Sequence, residues 1–182
     1  MKFEATSLAG LVVVHPEPFQ DARGRFERLF CDRELAQLHP GLLAAQANLS
    51  LTRGRGSVRG LHYQAPPALE WKLVRCLRGR VFDVAVDLRA GSDTFLRWHG
   101  VELSEQNGLA LFIPEGFAHG FQVLDDEAQL LYFHGTHWNR DAEAGLRHDD
   151  PALGIRWPLP VSGLSDRDRN LSMITEAFRG LA

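Results

Sequence analysis

The chain has only two cysteines, Cys31 and Cys76, and neither stands in a CxxC pair or beside a second thiol. That spacing excludes a disulfide framework and a thiolate zinc site, and both thiols are expected to be buried and reduced. Long apolar runs are missing as well. The N-terminus MKFEATSLAGLVVVHPEPF reaches no further than LVVV before Pro16, too little for a signal-peptide core or a membrane span, so a cytoplasmic protein is expected. Neither sign of charge dominates: 20 Lys and Arg against 23 Asp and Glu give a net charge of -3. The chain therefore has no overall positive field to draw it to nucleic acid or an anionic membrane. Internal repeats, low-complexity tracts and Pro/Ser/Gly linkers are absent too. A length of 182 residues at 45% hydrophobic content suits one domain spanning 1–182 with a real core.

What the chain does have is β-rich sequence. From Lys72 to Tyr132 it runs through KLVRCL, VFDVAVDL, WHGVELS, LALFI, GFQVL and QLLYF, each a strand candidate. Gly79, Gly91-Ser92, Asn107-Gly108, Glu115-Gly116 and Asp125-Asp126 punctuate them as turns. Val81 to Leu88 alternates, with Phe82, Val84, Val86 and Leu88 on one face and Val81, Asp83, Ala85 and Asp87 on the other. Many short strands with little helix between them predict an antiparallel sandwich or barrel, with its core over about residues 45–135. Two peripheral helices are expected. One lies at about 32–39, capped by Asp32 and stopped by Pro40-Gly41. The other runs from Ser165 to Phe178, with Asp168 completing a capping box. The charge-rich tracts RGRGSVRG and RDAEAGLRHDD read as solvated loops. Asp83 and Asp87 lie roughly 13 Å apart along one strand, too far for a glycosidase pair, and Asp83 is expected to pair with a cation inside the barrel.

Two segments carry chemistry. Gly108-LALFI-Pro114-Glu-Gly116-FA-His119 has the Gly, Pro, Gly and His spacing of the second cupin motif, in which a hairpin presents a histidine inside a jelly-roll barrel. Gly60-Leu-His62-Tyr-Gln64, followed by Gly79, resembles the first cupin motif in degenerate form. Metal-binding cupins have a second histidine where Gln64 stands and a carboxylate a few residues on. Here Glu70 comes late and the Lys72 ammonium follows it. A cation near the metal position repels a divalent ion, and two histidines without thiolate or a well-placed carboxylate make a weak site. No metal is expected, and the pocket's chemistry falls to protons.

The stretches PFQDARGRF, Gln46-Ala-Asn48, VRGLHYQAPP, KLVRCLRGRVFDVAVDLRAGSDTF, LSEQN, IPEGFAHGFQVL, the Tyr132 strand, DDPALGIRWP and LSDRD run in order from about residue 18 to 168. Together they resemble the dTDP-4-dehydrorhamnose 3,5-epimerase family. The resemblance implies an all-β cupin jelly-roll barrel with a few short peripheral helices, a homodimer, no cofactor and a nucleotide-linked 4-keto-6-deoxyhexose as substrate. Protons beside a ketone are acidic because the carbanion delocalises into an enolate. Epimerisation therefore needs a base on one face, a donor at the ketone oxygen and an acid on the other face. His62 matches the family base, Asp168 the carboxylate that orients it, Lys72 the enolate-stabilising cation and Tyr132 the proton donor. His119 is expected to line the same pocket. Arg23 and Arg59 match positions that grip the diphosphate, Gln46 and Asn48 polar positions at the sugar nucleotide. Phe19 matches an aromatic reaching the nucleobase across the dimer interface, and Trp138 is expected to border the sugar.

Taken singly, these residues have plainer readings. His62 and His119 could be core histidines, Asp168 a helix cap, Lys72 a snorkelling edge residue and Tyr132 sheet packing, with Arg23 and Arg59 in solvated loops. Three departures from the family pattern stand out. Arg25 occupies an aromatic position, and Arg28 stands where a glutamate at the nucleobase end is usual, which bears on base preference. After Tyr132 the chain reads Phe133-His-Gly-Thr-His137-Trp138 instead of a lysine and, at the end, a tyrosine pair, which bears on whether one carbon or both are inverted. Arg167 replaces a lysine and keeps its charge. The competing functions are a 3-only or 5-only epimerase, a ketosugar isomerase, a non-catalytic sugar-nucleotide binding module and a metal-dependent cupin oxygenase.

Overall fold

In the computed structural model, which describes residues 1–182, the β-rich runs form strands broken at the expected turns. The strands are β1 (Lys2–Ala5), β2 (Val12–His15), β3 (Phe19–Asp21), β4 (Gly24–Phe26), β5 (Gln46–Arg53), β6 (Val58–Gln64) and β7 (Lys72–Arg78). After these come β8 (Arg80–Asp87), β9 (Trp98–Ser104), β10 (Ala110–Ile113), β11 (Phe117–Val123), β12 (Glu127–His134) and β13 (Glu143–Gly145). Two single-turn helices accompany them, α1 (Asp32–Leu35) and α2 (Asp166–Arg169). Six strands pair in the order β1-β2-β10-β7-β12-β5, five in the order β13-β6-β11-β8-β9, and β3-β4 form a separate hairpin. Every pairing between strands is antiparallel. The two large sheets face each other as a jelly roll, the expected all-β class. No helix is long and apolar enough to cross a membrane.

Alternation along each strand divides the apolar residues into three layers. Between the sheets lie Val74, Cys76, Val81, Ala85, Leu111, Ile113, Phe117, Phe121, Val123 and Leu130. Outside the six-stranded sheet, Leu35 of α1 and Leu42 pack on Trp71, Leu73 and Phe112. Outside the five-stranded sheet, Val84, Val86 and Leu88 meet Leu146, Leu153, Trp157, Ile174, Phe178 and Leu181. The uniformly apolar face of β8 thus points away from the barrel interior and is covered by the C-terminal segment. Its mixed face points inward, which puts Asp83 inside the barrel.

One irregularity positions the site. His119 of β11 pairs with His62 of β6, but two residues later Phe121 pairs with Arg59, three residues back. The extra residue is a bulge. Strict alternation would send side chains at positions 59 and 62 to opposite faces, and the bulge turns both into the barrel. Glycine permits it. Gly60 has φ +117, and a Cβ there would lie 2.6 Å from the Gly120 Cα, while a Cβ on Gly120 would lie 2.7 Å from the Arg59 carbonyl oxygen.

Both expected helices are shorter than the sequence suggests. In α1 the N-cap position is Cys31, without a side-chain cap, and Asp32 is the first helical residue. One turn suffices to seat Leu35 on the sheet, after which the chain bends through Pro40-Gly41. In α2, Ser165 does cap the helix, its Oγ accepting from the Asp168 N–H. Past Arg169 the backbone bonds to the body of the protein instead: Ile174 N donates to Asp150 Oδ2 at 2.6 Å, Arg147 N to the Ser172 carbonyl at 3.2 Å and Ala90 N to the Leu181 carbonyl at 2.8 Å. Those tertiary bonds hold Ile174 and Leu181 over the outer face and replace the helix expected through Phe178. The tracts read as solvated loops also contain structure. RDAEAGLRHDD includes β13, which pairs with β6, and RGRGSVRG runs into β6 itself. Cys76 is buried as expected, whereas Cys31 is only half-buried.

Gly120→Ala should force the two backbones apart at the bulge. A loss of about 2 kcal/mol is expected, a fall in Tm of roughly 4–8 °C, read by calorimetry.

Candidate active site

The barrel interior opens into a cavity of about 220 Å³ lined by Asn48, Ser50, Arg59, His62, Lys72, His119, Phe121, Tyr132 and His134. The five-stranded sheet contributes His62 and Arg59 from β6 and His119 and Phe121 from β11. The six-stranded sheet contributes Asn48 and Ser50 from β5, Lys72 from β7 and Tyr132 and His134 from β12. Side chains two apart on one strand share a face, so Asn48 with Ser50, and Tyr132 with His134, enter as pairs.

Each imidazole in this cavity is held by its own carboxylate. His62 Nε2 lies 2.7 Å from Asp168 Oδ1. The other Asp168 oxygen accepts from the Gly60 N–H at 3.3 Å, so this carboxylate binds the bulge and the histidine together. Burial by itself raises the Asp168 carboxyl, but the His62 hydrogen bond and charge, the Gly60 N–H and Ser165 together bring it below its ordinary value. His119 Nε2 lies 2.8 Å from Asp83 Oδ1, so the partner of Asp83 inside the barrel is an imidazole, where a cation was expected. His134 Nδ1 lies 2.8 Å from Glu70 Oε2. No three His, Cys, Asp or Glu side chains converge as metal ligands would.

The Lys72 ammonium is 3.2 Å from Glu70 Oε1 and donates to the His62 carbonyl at 3.3 Å, so it is fixed between the two sheets. Burial raises the Glu70 carboxyl, but His134 and Lys72 outweigh it and leave the group below its usual range. At Tyr132 burial again comes first and raises the phenol. The charge of buried Asp83 adds to it, and the opposing effects of Ser50 and Arg59 leave the group well above its ordinary value. At neutral pH this phenol keeps its proton. Arg59 Nε donates to Thr52 Oγ1 at 2.7 Å, which steadies the guanidinium at the cavity wall.

Seven of the residues singled out from the sequence therefore meet: Asn48, Arg59, His62, Lys72, His119 and Tyr132 in the cavity wall, with Asp168 behind His62. Four do not. Gln46 sits at the end of β5, where its Oε1 accepts from the Trp138 backbone N–H at 3.0 Å, and the Trp138 ring is 57% exposed. Phe19 and Arg23 lie on the β3-β4 hairpin, Phe19 69% exposed and Arg23 bonded to Asp21. Arg28 pairs with Glu34, away from the cavity. Sequence reasoning missed Ser50 and Phe121, and although it singled out Glu70 and the Phe133–Trp138 segment that contains His134, it did not foresee that Glu70 and His134 pair. For His134 a signal was available, since it lies two residues after Tyr132 on the same strand.

A jelly roll whose pocket joins carboxylate-held imidazoles, an ammonium and a protonated phenol defines a class of protein equipped for proton transfer. The sequence profile described as dTDP-4-dehydrorhamnose 3,5-epimerase matches residues 5–176, and the chain belongs to that family. The dTDP-4-dehydrorhamnose 3,5-epimerase of Sinorhizobium fredii is 40% identical over 177 residues, 97% of this chain and 91% of that one. The crystal structure of dTDP-6-deoxy-D-glucose-3,5-epimerase from Legionella pneumophila, in complex with dTDP-4-keto-L-rhamnose, superposes with a TM-score of 0.89 at 37% identity, covering 94% of this chain and 92% of that one. A 3'-monoepimerase from Streptomyces bikiniensis, in complex with dTDP-quinovose, does so with a TM-score of 0.84 at 34% identity, covering 92% and 85%. The activity that accompanies membership is epimerisation, an isomerase reaction.

Asp168→Asn should cut turnover by about 10²–10⁴-fold in a steady-state assay, through loss of the carboxylate that orients His62. It also gives a stability signature of known sign. A carboxyl lowered in the folded state stabilises above its unfolded value of about 3.9 and stops doing so as pH falls through the folded value. The stability gap between wild type and variant, measured by urea unfolding, should be full at neutral pH and shrink below about pH 4.

Proposed function

We propose that this chain inverts C3, C5 or both of a nucleotide-linked 4-keto-6-deoxyhexose of the dTDP-4-dehydro-6-deoxyglucose type. The observation that carries the reading is that His62 on one sheet, backed by Asp168 of α2, faces Lys72 and Tyr132 on the other across one small cavity. His62 removes the proton beside the ketone, and Asp168 stabilises the imidazolium that forms. Lys72, held by Glu70 and the His62 carbonyl, supplies positive charge for the enolate oxygen. Tyr132 returns a proton from the opposite face and so inverts the centre. The substrate's own ketone is the electron sink, so the step needs no cofactor. Both C3/C5 and C3-only enzymes stand among the relatives, and the cavity is compatible with either outcome.

Recognition of the diphosphate falls to Arg59 at the wall and to Arg23, with Phe19 for the base and Gln46, Asn48 and Trp138 around the rim. Because Phe19 and Arg23 do not reach their own cavity, this reading includes a homodimer in which the β3-β4 hairpin serves the partner's site. The exposed apolar side chains Phe19, Phe26, Leu49 and Leu51 support an interface, the last two on β5, an edge strand of its sheet. A cytoplasmic location belongs to the same reading, since a charged nucleotide sugar does not cross a bilayer unaided.

In heavy water, with the thymidine, uridine, cytidine and guanosine 4-ketosugars as a panel, NMR should show deuterium entering C3, C5 or both for at least one substrate. His62→Ala and Tyr132→Phe should lower inversion by at least about 10²-fold. Absence of exchange with every substrate would sink the epimerase reading in favour of binding alone, and a product with its carbonyl at C3 would indicate an isomerase. Leu49→Lys should shift the protein from dimer to monomer in analytical ultracentrifugation; a wild-type protein that sediments as a monomer would remove the interface.

A further inference from the structure

A sugar whose own stereocentre is being inverted must be held by a group that does not move. In a nucleotide-linked 4-keto-6-deoxyhexose C1 carries the nucleotide, C4 is the ketone, and C5 bears only the ring oxygen and the C6 methyl. The C3 hydroxyl changes place when C3 inverts. The C2 hydroxyl alone sits on a carbon that keeps its configuration, next to C3, so a hydroxyl contact that orients the ring throughout the reaction goes to C2. The cavity has a group suited to it. Asn48 on β5 pairs directly with Tyr132 on β12, and both line the cavity. His134, two residues after Tyr132, is the diagonal neighbour of Asn48 across the same two strands, and its Nε2 lies 3.3 Å from Asn48 Nδ2.

The far side of the His134 ring sets the role of that nitrogen. Glu70 Oε2 lies 2.8 Å from His134 Nδ1, and a carboxylate that also faces the Lys72 ammonium at 3.2 Å can only accept. Nδ1 therefore carries the proton and donates it to Glu70, so in the neutral ring Nε2 is the acceptor, and the Asn48 amide donates to it. The two ends of an amide are told apart by what they bond. With one Nδ2 hydrogen committed to His134, Asn48 keeps its Oδ1 and its second N–H for a ligand, and its side chain has no other hydrogen bond within the protein. An acceptor beside a donor matches a hydroxyl, which offers both. Resting on the epimerase reading, we infer that Asn48 holds the C2 hydroxyl of the ketosugar beside Tyr132, and that His134, fixed in one tautomer by Glu70, is the positioning residue that orients the Asn48 amide for it. Without that acceptor the amide turns about its last bond and has to be ordered by the substrate, at a cost in affinity. Glu70 thereby serves two ends of the sugar, the ammonium at the enolate and the grip on the carbon beside C3.

Two sugars test it with the full chain: the nucleotide 4-keto-6-deoxyhexose that the wild type turns over best, and its 2-deoxy counterpart. The readout is the ratio of kcat/KM for the first over the second, compared between wild type and variant so that the intrinsic reactivity of each sugar cancels. Asn48→Ala removes the amide, and His134→Phe keeps a flat ring against Tyr132 without its nitrogens. Each should lower the ratio by about tenfold, the worth of one hydrogen bond, and the double variant should lower it no further. The loss should lie in KM more than in kcat, because the contact is kept from ground state to transition state. His134→Gln, whose amide can still accept from Asn48, should recover most of the ratio. Glu70→Gln, which releases the tautomer, should lower it, and decides the orienting role if His134→Phe does not fold. A ratio unchanged in Asn48→Ala overturns the contact with C2. A ratio unchanged in His134→Phe or Glu70→Gln, with both sugars slowed alike, overturns the orienting role and leaves His134 a packing residue or a support for Lys72. If the wild type inverts neither sugar, the epimerase reading itself fails, a result distinct from either of these.

Discussion

A carboxylate that is 3% exposed, as Asp168 is, keeps its charge inside a protein only while donors surround it. Both of its donors, the His62 ring and the Gly60 N–H, come from β6, about a hundred residues earlier in the chain, while its own backbone N–H is capped by Ser165. The C-terminal segment, the bulge and the candidate base are thus joined at one charged group. Breaking such an arrangement by removing one partner typically costs about 3–5 kcal/mol. The bulge cannot relax without unpairing a buried charge, and His62 cannot turn without losing its orienting partner. On the proposed reading, stability and chemistry are coupled at this residue because one carboxylate serves both, with Oδ2 toward the Gly60 N–H and Oδ1 toward His62.

The same economy governs the rest of the cavity. Asp83 and Glu70 each engage one nitrogen of an imidazole, as Asp168 does, and in each case the other nitrogen is free of that carboxylate. The carboxylates differ in what they do to neighbours. Asp83 is fully buried, and one of its oxygens has no hydrogen-bond partner, so its field adds to burial, the larger cause, in raising the Tyr132 phenol. Glu70 is shared between Lys72 and His134, so its charge is matched locally. On the proposed reading the cavity holds an enolate for an instant, and a cation fixed in advance suits that, because charges and dipoles that need not reorganise stabilise charge at no further cost.

Strand order along the chain, turn positions and the inward histidines were legible because each rests on a local rule: alternation, glycine at a turn, a short motif. What local rules could not reach was decided by contacts distant in sequence. The apolar face of β8 reads as a core face, yet it lies outside the barrel because residues beyond 150 return to cover it. Residues 170–178 have helical character in isolation, but Asp150 and Arg147 take their backbone groups. Arg59 and His62 sit at a spacing that alternation assigns to opposite faces, and only the β6-β11 bulge reconciles them. Glu70 was weighed as a late metal carboxylate, and its real partners, one two residues away and one on β12, emerge only once the sheet is assembled.

The size of the cavity explains which parts of the sequence follow the family pattern and which depart from it. About 220 Å³ is below the usual range for a drug-sized ligand, roughly 300–1,000 Å³, so on the proposed reading it encloses the hexose ring and leaves the nucleotide outside. Most residues that face the enclosed space belong to stretches that follow the pattern, RGLHYQ, KLVRC, the IPEGFAH turn and the Tyr132 strand, and His134, from the segment that departs from it, is the exception. Proton transfer there tolerates little change, because the base, the cation and the acid must approach one ring from fixed directions. Arg25 lies on the hairpin, Arg28 just after it, and Trp138 beyond the end of β12, all exposed, where on the proposed reading a substrate is gripped by its far end and several side chains can do the same work. Arg28 illustrates the difference: paired with Glu34 beside the N-terminal ammonium, it places both signs of charge next to the hairpin and away from the cavity.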